Sequence, residues 1–137
     1  MSDNFSIRQA AVLPVRAGHV CLVLSTSGKR WVIPKGRIEP RQTAGETALQ
    51  EAWEEAGLTG ILHREPVGSY VYEKFGGLYH VTVFLMQVTD EAEEWPERVS
   101  RQRSWLAADE AVDRLSEPGL RQIVETVMRN LQTIEAA

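Results

Sequence analysis

The chain has 137 residues, of which 43% are hydrophobic and 25% charged, so we expect one globular domain, residues 1–137, rather than a disordered chain. The formal net charge of −4 lacks the basic field that nucleic acid or an anionic membrane surface requires, which argues against both as partners. A small phosphorylated substrate is compatible with this charge, because a metal ion or a local basic patch can reverse the sign inside one cleft.

The first 42 residues predict three strands followed by a loop. Residues 6–16 are rich in apolar, β-compatible types and are followed by an Ala-Gly turn signal. A short apolar run at residues 19–25 predicts a buried strand, and residues 31–33 predict a third strand. Residues 34–42 carry two prolines and a glycine and are therefore expected to form a loop.

The single cysteine, Cys21, lies inside the second of these strands. A disulfide within the chain is therefore impossible, and the thiol is expected to be a core group rather than a reactive one. These features favour a reducing compartment, and we expect the protein to be cytoplasmic. The polar start of the chain, and the lack of an apolar run of about 18–20 residues, predict neither a signal peptide nor a membrane span.

The segment after the loop carries the signals of one helix between Thr43 and Gly57. Glu46, three residues after Thr43, completes a capping box, and Gly57 suits the left-handed position beyond a helix end. Alanine recurs at every fourth position and forms a stripe of small residues, namely Ala44, Ala48, Ala52 and Ala56. We expect the helix to lie close against a sheet along this stripe.

The second half of the chain predicts further strands and then two helices. We expect strands at residues 67–72 and 79–88, an acidic loop at residues 89–99, and a short strand at residues 103–106. The pattern is helical from Asp109 onward, and Pro118 divides it into a short helix and a longer one. Early strands, a central helix, more strands and terminal helices predict an α/β fold, a sandwich with a mixed β-sheet.

Three glutamates, Glu51, Glu54 and Glu55, share one face of the predicted central helix. Their spacing of i, i+3 and i+4 places them within an arc of about 100°, where like charges repel. A hard divalent cation such as Mg²⁺ would explain the cluster, because it prefers oxygen ligands and bridges carboxylates to phosphates. The alternative is an ordinary solvated acidic face. Basic residues in the preceding loop can hold phosphate oxygens and therefore favour the metal site. They are Lys35, Arg37 and Arg41.

Residues 36–58 resemble the Nudix box, which reads G, five residues, E, seven residues, then R-E-U-x-E-E-x-G-U, with U aliphatic. The matching positions are Gly36, Glu51, Ala52, Glu54, Glu55, Gly57 and Leu58. Two positions depart from the box, because Gln42 replaces its first Glu and Gln50 replaces its Arg. Hydrogen bonding is kept at both positions and charge is lost. The resemblance extends over nearly the whole chain and implies the α/β/α sandwich of that family, with a catalytic loop–helix–loop.

The resemblance also implies roles for these residues. Glu51, Glu54 and Glu55 would be the catalytic residues and the ligands of Mg²⁺, for which Mn²⁺ could substitute. A backbone carbonyl at Lys35 or Gly36 would be a further ligand. The general base stays open between Glu51 and the acids of a later segment, namely Glu91, Glu93, Glu94 and Glu97. The missing first acid could be replaced by Glu39 or Glu46.

The flanking sequence resembles one branch of the family, the diphosphoinositol polyphosphate and diadenosine polyphosphate hydrolases. The resemblance lies in residues 31–40 and in the tryptophans and arginines of residues 95–105. It implies that basic side chains hold a chain of phosphates, and the candidates are Lys35, Arg37, Arg41, Arg101 and Arg103. The expected activity is Mg²⁺-dependent hydrolysis of a phosphoanhydride bond in a nucleoside-diphosphate-linked or polyphosphorylated substrate.

Two other functions stay open at this point. The two glutamines in the box are compatible with a Nudix-fold binding module that has weak catalysis or none. An RNA 5′-pyrophosphohydrolase is a third hypothesis, which the acidic net charge makes less attractive. In every case the protein is expected to act as a monomer or a homodimer.

Overall fold

The computed structural model describes residues 4–136, which form one mixed sheet with helices on both faces. This part of the chain contains eight strands and three helices. The strands are β1 (Ser6–Arg16), β2 (His19–Leu24), β3 (Trp31–Val32), β4 (Lys35–Arg37), β5 (Leu58–Leu62), β6 (Gly68–Lys74), β7 (Gly77–Glu91) and β8 (Arg103–Ala107). The helices are α1 (Ala44–Ala56), α2 (Ala108–Arg114) and α3 (Pro118–Ala136).

Two long strands, β1 and β7, run parallel at the centre of the sheet. Their register extends from Ser6 opposite Leu78 to Val15 opposite Gln87. The other pairings among the described residues are antiparallel: β2 and β4 flank β1, β5 and β6 flank β7, and β3 and β8 flank β2. A parallel pair needs a long crossover between its strands, and here that crossover contains α1.

Side-chain alternation along β1 divides the core into two layers, because successive residues of a strand point to opposite faces. Ala10 and Val12 belong to the layer beneath α1. Ala11, Leu13 and Val15 belong to the layer beneath α2 and α3. Helices on both faces of a mixed sheet confirm the α/β/α fold that the sequence predicts.

Helix α1 has the ends and the packing face that the sequence predicts. The Thr43 hydroxyl accepts a hydrogen bond from the Glu46 backbone N–H at 3.1 Å, and the Glu46 carboxylate accepts one from the Thr43 N–H at 2.8 Å. Gly57 takes the left-handed conformation with φ of 66°. Most of the alanine stripe is fully buried against the sheet, namely Ala48, Ala52 and Ala56. The small stripe lets the backbone of α1 lie close to β1 and β4.

The loop predicted at residues 34–42 is wrong in part, because it contains strand β4. This strand pairs with β1, and Gly36 lies opposite Ala10. A strand of three residues carries too short a pattern to be read from the sequence, and its partner decides its conformation. The pairing with β1 places Gly36, where the motif begins, against helix α1.

Strand β5 is also absent from the sequence-based prediction. It follows α1 directly and pairs with β7, and at Gly60 an added Cβ atom would lie 2.1 Å from the Gln87 carbonyl oxygen. This pairing extends β7 to Glu91, so the acidic loop predicted at residues 89–99 is wrong for its first three residues. The strand exists because β7 offers a free edge, which the local sequence does not reveal.

Helices α2 and α3 cover the second face, and Pro118 begins the longer of them. Leu120 and Val124 of α3 are buried against the sheet. Among the helices of residues 4–136, none combines the length with the apolar character that a membrane span requires. Cys21 is fully buried in β2, as predicted, and burial raises the pKa of its thiol to about 12.

Candidate active site

Strand β4 and helix α1 bring the glycine that opens the motif against the first of its three closing glutamates. A Cβ atom on Gly36 would lie 2.3 Å from Glu51 Oε1 and 2.4 Å from Glu51 Cδ. The Glu51 carboxylate therefore occupies the space that the side chain of any other residue at position 36 would fill. The motif requires glycine here because two elements approach closely, and not because of an unusual backbone conformation.

Glu51 and Glu55, one helical turn apart, form a hydrogen-bonded pair of carboxyl groups. Glu55 is only 4% exposed, and burial together with the hydrogen bond to Glu51 raises its pKa to about 9. Burial also raises the pKa of Glu51. Of the two groups, Glu55 is the one whose neutral form burial favours more strongly, and a neutral Glu55 carboxyl can donate to Glu51. Like charges this close cannot both persist unless a positive group compensates them.

Arg101 is the positive group that reaches this pair. Its Nη2 lies 3.7 Å from Glu55 Oε1 and lowers the Glu55 pKa, although burial outweighs it. The rest of the guanidinium is held by the Glu97 carboxylate at 2.9 Å and by the Leu24 carbonyl at 2.9 Å. The side chain is 12% exposed. Arg101, a candidate for binding phosphate, thus lies in the wall of the site as a partner of Glu55.

Glu54 lies beside the pair and not within its hydrogen bond. Its carboxylate accepts a hydrogen bond from Gln50 Nε2 at 2.9 Å, and its charge contributes to the raised pKa of Glu51. In the described range 4–136, no three carboxylate, imidazole or thiol groups converge on one point where an ion could sit. The structure therefore brings two of the three predicted ligands together, and the role of Glu54 as the third stays a prediction.

The chemistry of the donor groups fits a hard divalent cation. The pair offers carboxylate oxygens only, and it holds a proton that a bound cation would displace. The β4 backbone at Gly36 adjoins the Glu51 carboxylate without an intervening side chain. Oxygen donors of this kind suit Mg²⁺ and Mn²⁺ better than softer metals.

A cleft of about 500 Å³ opens between β3, β6 and the connection from α2 to α3. Its walls carry three cations, Arg30, Lys35 and Lys74. They also carry three aromatic residues, Trp31, Tyr70 and Tyr72, and two acids, Glu73 and Glu117. The cleft can therefore accept a ligand that has both anionic and flat apolar parts.

Lys35 connects this cleft to the carboxyl pair. Its Nζ lies 5.3 Å from the centroid of the Tyr72 ring, and the side chain is near enough to the Glu55 carboxyl for the two groups to affect each other's ionisation. Burial lowers the pKa of Lys35, while the Glu55 carboxyl opposes this effect. A cation between the cleft and the carboxyl pair is in a position to contact a phosphate oxygen, so the predicted role of Lys35 is compatible with its place.

The other predicted substrate-binding residues lie elsewhere. Arg37, the last residue of β4, and Arg41, in the loop before α1, are both exposed. Arg103 donates to the Ala56 carbonyl at 2.8 Å and stacks over Trp95 at 4.2 Å, at the far end of α1. It is not among the residues that line the cleft. These contacts make Arg103 a cap for the last turn of the helix, and its role in substrate binding stays a prediction.

The candidates for a general base are separated by the structure. Glu91 pairs with Arg16 and lies 3.6 Å from Arg103, and Glu94 lies 2.7 Å from Arg98. Glu97 instead holds Arg101 and adds to the raised pKa values of the carboxyl pair. Of Glu91, Glu94 and Glu97, Glu97 is therefore the one that adjoins the site. Of the proposed replacements for the missing acid, Glu46 is engaged in the helix cap.

Comparison with known families and proteins gives the chain close relatives in sequence. The family model of the NUDIX domain matches residues 6–127. Nudix hydrolase 12, mitochondrial, from Arabidopsis thaliana is 34% identical over 122 residues, which cover 82% of this chain and 60% of that protein. Diphosphoinositol polyphosphate phosphohydrolase 3-beta from Homo sapiens is 35% identical over 112 residues, which cover 77% of this chain and 66% of that protein. The chain thus spans less than two thirds of the length of these relatives.

Solved structures share the fold at lower sequence identity. A NUDIX hydrolase from Nitrosomonas europaea gives a TM-score of 0.78 at 18% identity, with 92% of this chain and 90% of that chain covered. The MutT protein from Methanosarcina mazei Go1 gives 0.75 at 20% identity, with 93% and 96% covered. At such identities the likeness concerns the fold alone.

Proposed function

Since the chain belongs to the Nudix hydrolase family, we propose that it hydrolyses a phosphoanhydride bond in a nucleoside-diphosphate-linked or polyphosphorylated substrate, with Mg²⁺ or Mn²⁺ as cofactor. The observation that carries the proposal is the placement of Glu51 and Glu55 on one face of α1, with the Glu51 carboxylate against the β4 backbone at Gly36 and Glu55 buried beside it. Lys35 lies between this pair and a cleft with two further cations, which supports binding of a phosphate chain.

Within this class we propose a diadenosine polyphosphate as the substrate, with a diphosphoinositol polyphosphate as the second candidate. The adenine bases of a diadenosine polyphosphate can pack against the aromatic rings in the cleft. An inositol ring has no flat aromatic surface for such packing. Glu73 and Glu117 also line the cleft, and they would repel a ring crowded with phosphates more than a linear phosphate chain. The similarity to a human diphosphoinositol polyphosphate phosphohydrolase supports the second candidate.

The residues of the site have separate roles in this proposal. Glu51 and Glu55, together with Glu54 and a carbonyl at Gly36, would hold the cation. When bound, the cation supplies positive charge at the phosphate oxygens and lowers the pKa of a coordinated water. Lys35 would bind a phosphate oxygen where the cleft meets the site. Glu51 and Glu97 stay the alternatives for the general base, because both lie at the carboxyl pair.

A substrate panel tests the proposal. The full chain is incubated with diadenosine polyphosphates, diphosphoinositol polyphosphates, nucleotide sugars, nucleoside triphosphates and 5′-triphosphorylated RNA, in Mg²⁺, in Mn²⁺ and in a chelator. We expect metal-dependent turnover, fastest with a diadenosine polyphosphate. Thermal stabilisation by a ligand without turnover of any substrate would contradict hydrolysis and indicate a binding module. Fastest turnover of the RNA would contradict the proposed substrate class.

Gly36→Ala should separate activity from stability. The added Cβ atom would overlap the Glu51 carboxylate, which is the flexible end of a side chain, so the carboxylate moves and the fold persists. We expect kcat/KM to fall about a hundredfold, the loss that a misplaced group causes, while the Tm changes by only a few degrees. Gly45→Ala is the matched control, because its Cβ atom would lie 3.5 Å from Leu62, an ordinary contact. Wild-type kinetics in Gly36→Ala would show that Glu51 is not needed at this place.

We also propose that residues 1–137 act as one domain in the cytoplasm, as a monomer or a homodimer. The buried, protonated thiol of Cys21 supports a reducing compartment. The match of the family model to residues 6–127 supports a single domain.

A further inference from the structure

The two glutamines at which this sequence departs from the box form a continuous chain of hydrogen bonds. Gln42 Nε2 donates to Gln50 Oε1 at 2.6 Å, and Gln50 Nε2 donates to Glu54 Oε1 at 2.9 Å. At the other end, the Thr47 hydroxyl donates to Gln42 Oε1 at 2.9 Å. The chain therefore runs from Thr47 in the core to Glu54 beside the carboxyl pair.

The direction of this chain follows from the chemistry of its last member. An ionised carboxylate only accepts hydrogen bonds, so Gln50 must turn its NH₂ group toward Glu54. The Gln50 carbonyl oxygen then faces Gln42 and needs a donor, which is the Gln42 NH₂ group. The Gln42 oxygen is left to accept from Thr47, whose side chain is buried at 1% exposure and holds that end in place.

We infer that Gln42 and Gln50 are positioning residues that hold the Glu54 carboxylate beside Glu51 and Glu55 for the divalent cation. The inference rests on the proposed function. Gln50 acts directly on Glu54, whereas Gln42 acts only through Gln50. Because the side-chain amides of Gln42 and Gln50 are neutral, these hydrogen bonds orient the Glu54 carboxylate without cancelling its charge. The charge stays available to a cation.

The serial arrangement makes a prediction that separate contacts would not make. Methionine is close to glutamine in size, carries no charge, and offers no comparable hydrogen bond. Gln50→Met releases Glu54, and Gln42→Met lets Gln50 turn. Gln42 reaches Glu54 only through the Gln50 side chain. Once Gln50 is methionine, replacing Gln42 should have no further effect on Glu54, so the double variant should behave like Gln50→Met alone.

The test measures Mn²⁺ binding to the metal-free full chain by calorimetry, and kcat and KM with a substrate from the panel. We expect Gln50→Met to weaken Mn²⁺ binding and to lower kcat, each about tenfold, as loss of an outer partner of a metal ligand does. KM and the Tm should change little. Gln42→Met should show a smaller loss, of about threefold, and the double variant about the same tenfold loss as Gln50→Met. The matched control is Gln122→Met at an exposed position of α3, which should leave all values unchanged.

Two outcomes would overturn the inference. One is wild-type Mn²⁺ affinity in Gln50→Met, and the other is full additivity of the two substitutions. Mn²⁺ binding needs no substrate, so the chain of hydrogen bonds is tested even if the wild type hydrolyses nothing in the panel. Conversely, turnover by the wild type with unchanged Gln50→Met kinetics would remove the positioning role and leave the hydrolase.

Discussion

Glu55→Gln and Glu51→Gln are each expected to lower metal-dependent kcat/KM by at least about a hundredfold. Removal of a charged group at a reacting centre commonly causes a rate loss of this size. Glutamine keeps the size of the side chain and one oxygen, but it cannot become an anion. A pair that holds one charge fewer cannot neutralise a divalent cation as well. Since Glu55 is almost fully buried, no solvent-exposed acid can take its place without moving α1.

The same variants should lose Mn²⁺ binding in calorimetry, which separates a missing ligand from a defect in proton transfer. Glu65→Gln removes one negative charge from an exposed turn between β5 and β6, so it controls for net charge. Its kinetics should match those of the wild type. Turnover and Mn²⁺ affinity within twofold of wild type in Glu55→Gln would exclude the carboxyl pair as the metal site.

The helix and the carboxyl pair could be predicted because their signals are local. Thr43, Glu46 and Gly57 specify the ends of α1 from residues within one turn of each end. The spacing of Glu51 and Glu55 places both on one face of any helix, whatever it packs against. What the sequence does not contain is their burial, which depends on β4 and on Arg101 from a distant segment.

The cleft and two of its three cations could not be predicted, because strand pairing assembles them, and only Lys35 belongs to the motif region that the sequence reveals. Arg30, Lys74 and Glu117 come from three separate segments and share no motif. Arg103 is the opposite case, because the sequence predicts a role in phosphate binding and the structure gives its guanidinium a partner within the protein. Helix α1 has no basic residue in its last turn, and β8 directs Arg103 to the Ala56 carbonyl there. Unpaired carbonyls at a helix end attract such a donor, so the guanidinium is bound within the protein.

The metal-free protein should become less stable as the pH rises from about 5 to 9. Glu55 has an ordinary pKa of 4.5 in the unfolded chain, and burial together with the bond to Glu51 raises it to about 9 in the folded protein. Between these values the folded state holds a proton that the unfolded state has released. This group therefore stabilises the fold fully below pH 4.5, and the contribution is lost as the pH rises through about 9.

The size of this effect follows from about 1.4 kcal/mol for each unit of difference in pKa, which gives a decline on the order of a few kcal/mol. For a chain of this length that corresponds to a fall in Tm of roughly ten degrees. The measurement is the Tm in a chelator at several pH values, for the wild type and for Glu55→Gln. Other titrating groups are common to both proteins, so the difference between the two curves reports Glu55 together with its effect on the neighbouring Glu51 carboxyl.

Glu55→Gln should therefore stabilise the metal-free protein at alkaline pH although it lowers turnover. The glutamine side chain is neutral at every pH and can donate to Glu51 as the protonated carboxyl does, so its curve should be flatter and should lie above the wild type near pH 9. Saturating Mn²⁺ should reverse the order, because it stabilises only the protein that still has the anionic pair. Parallel curves in the chelator would mean that Glu55 is ionised throughout. In that case the cation would not stabilise the protein by relieving an instability of the empty site.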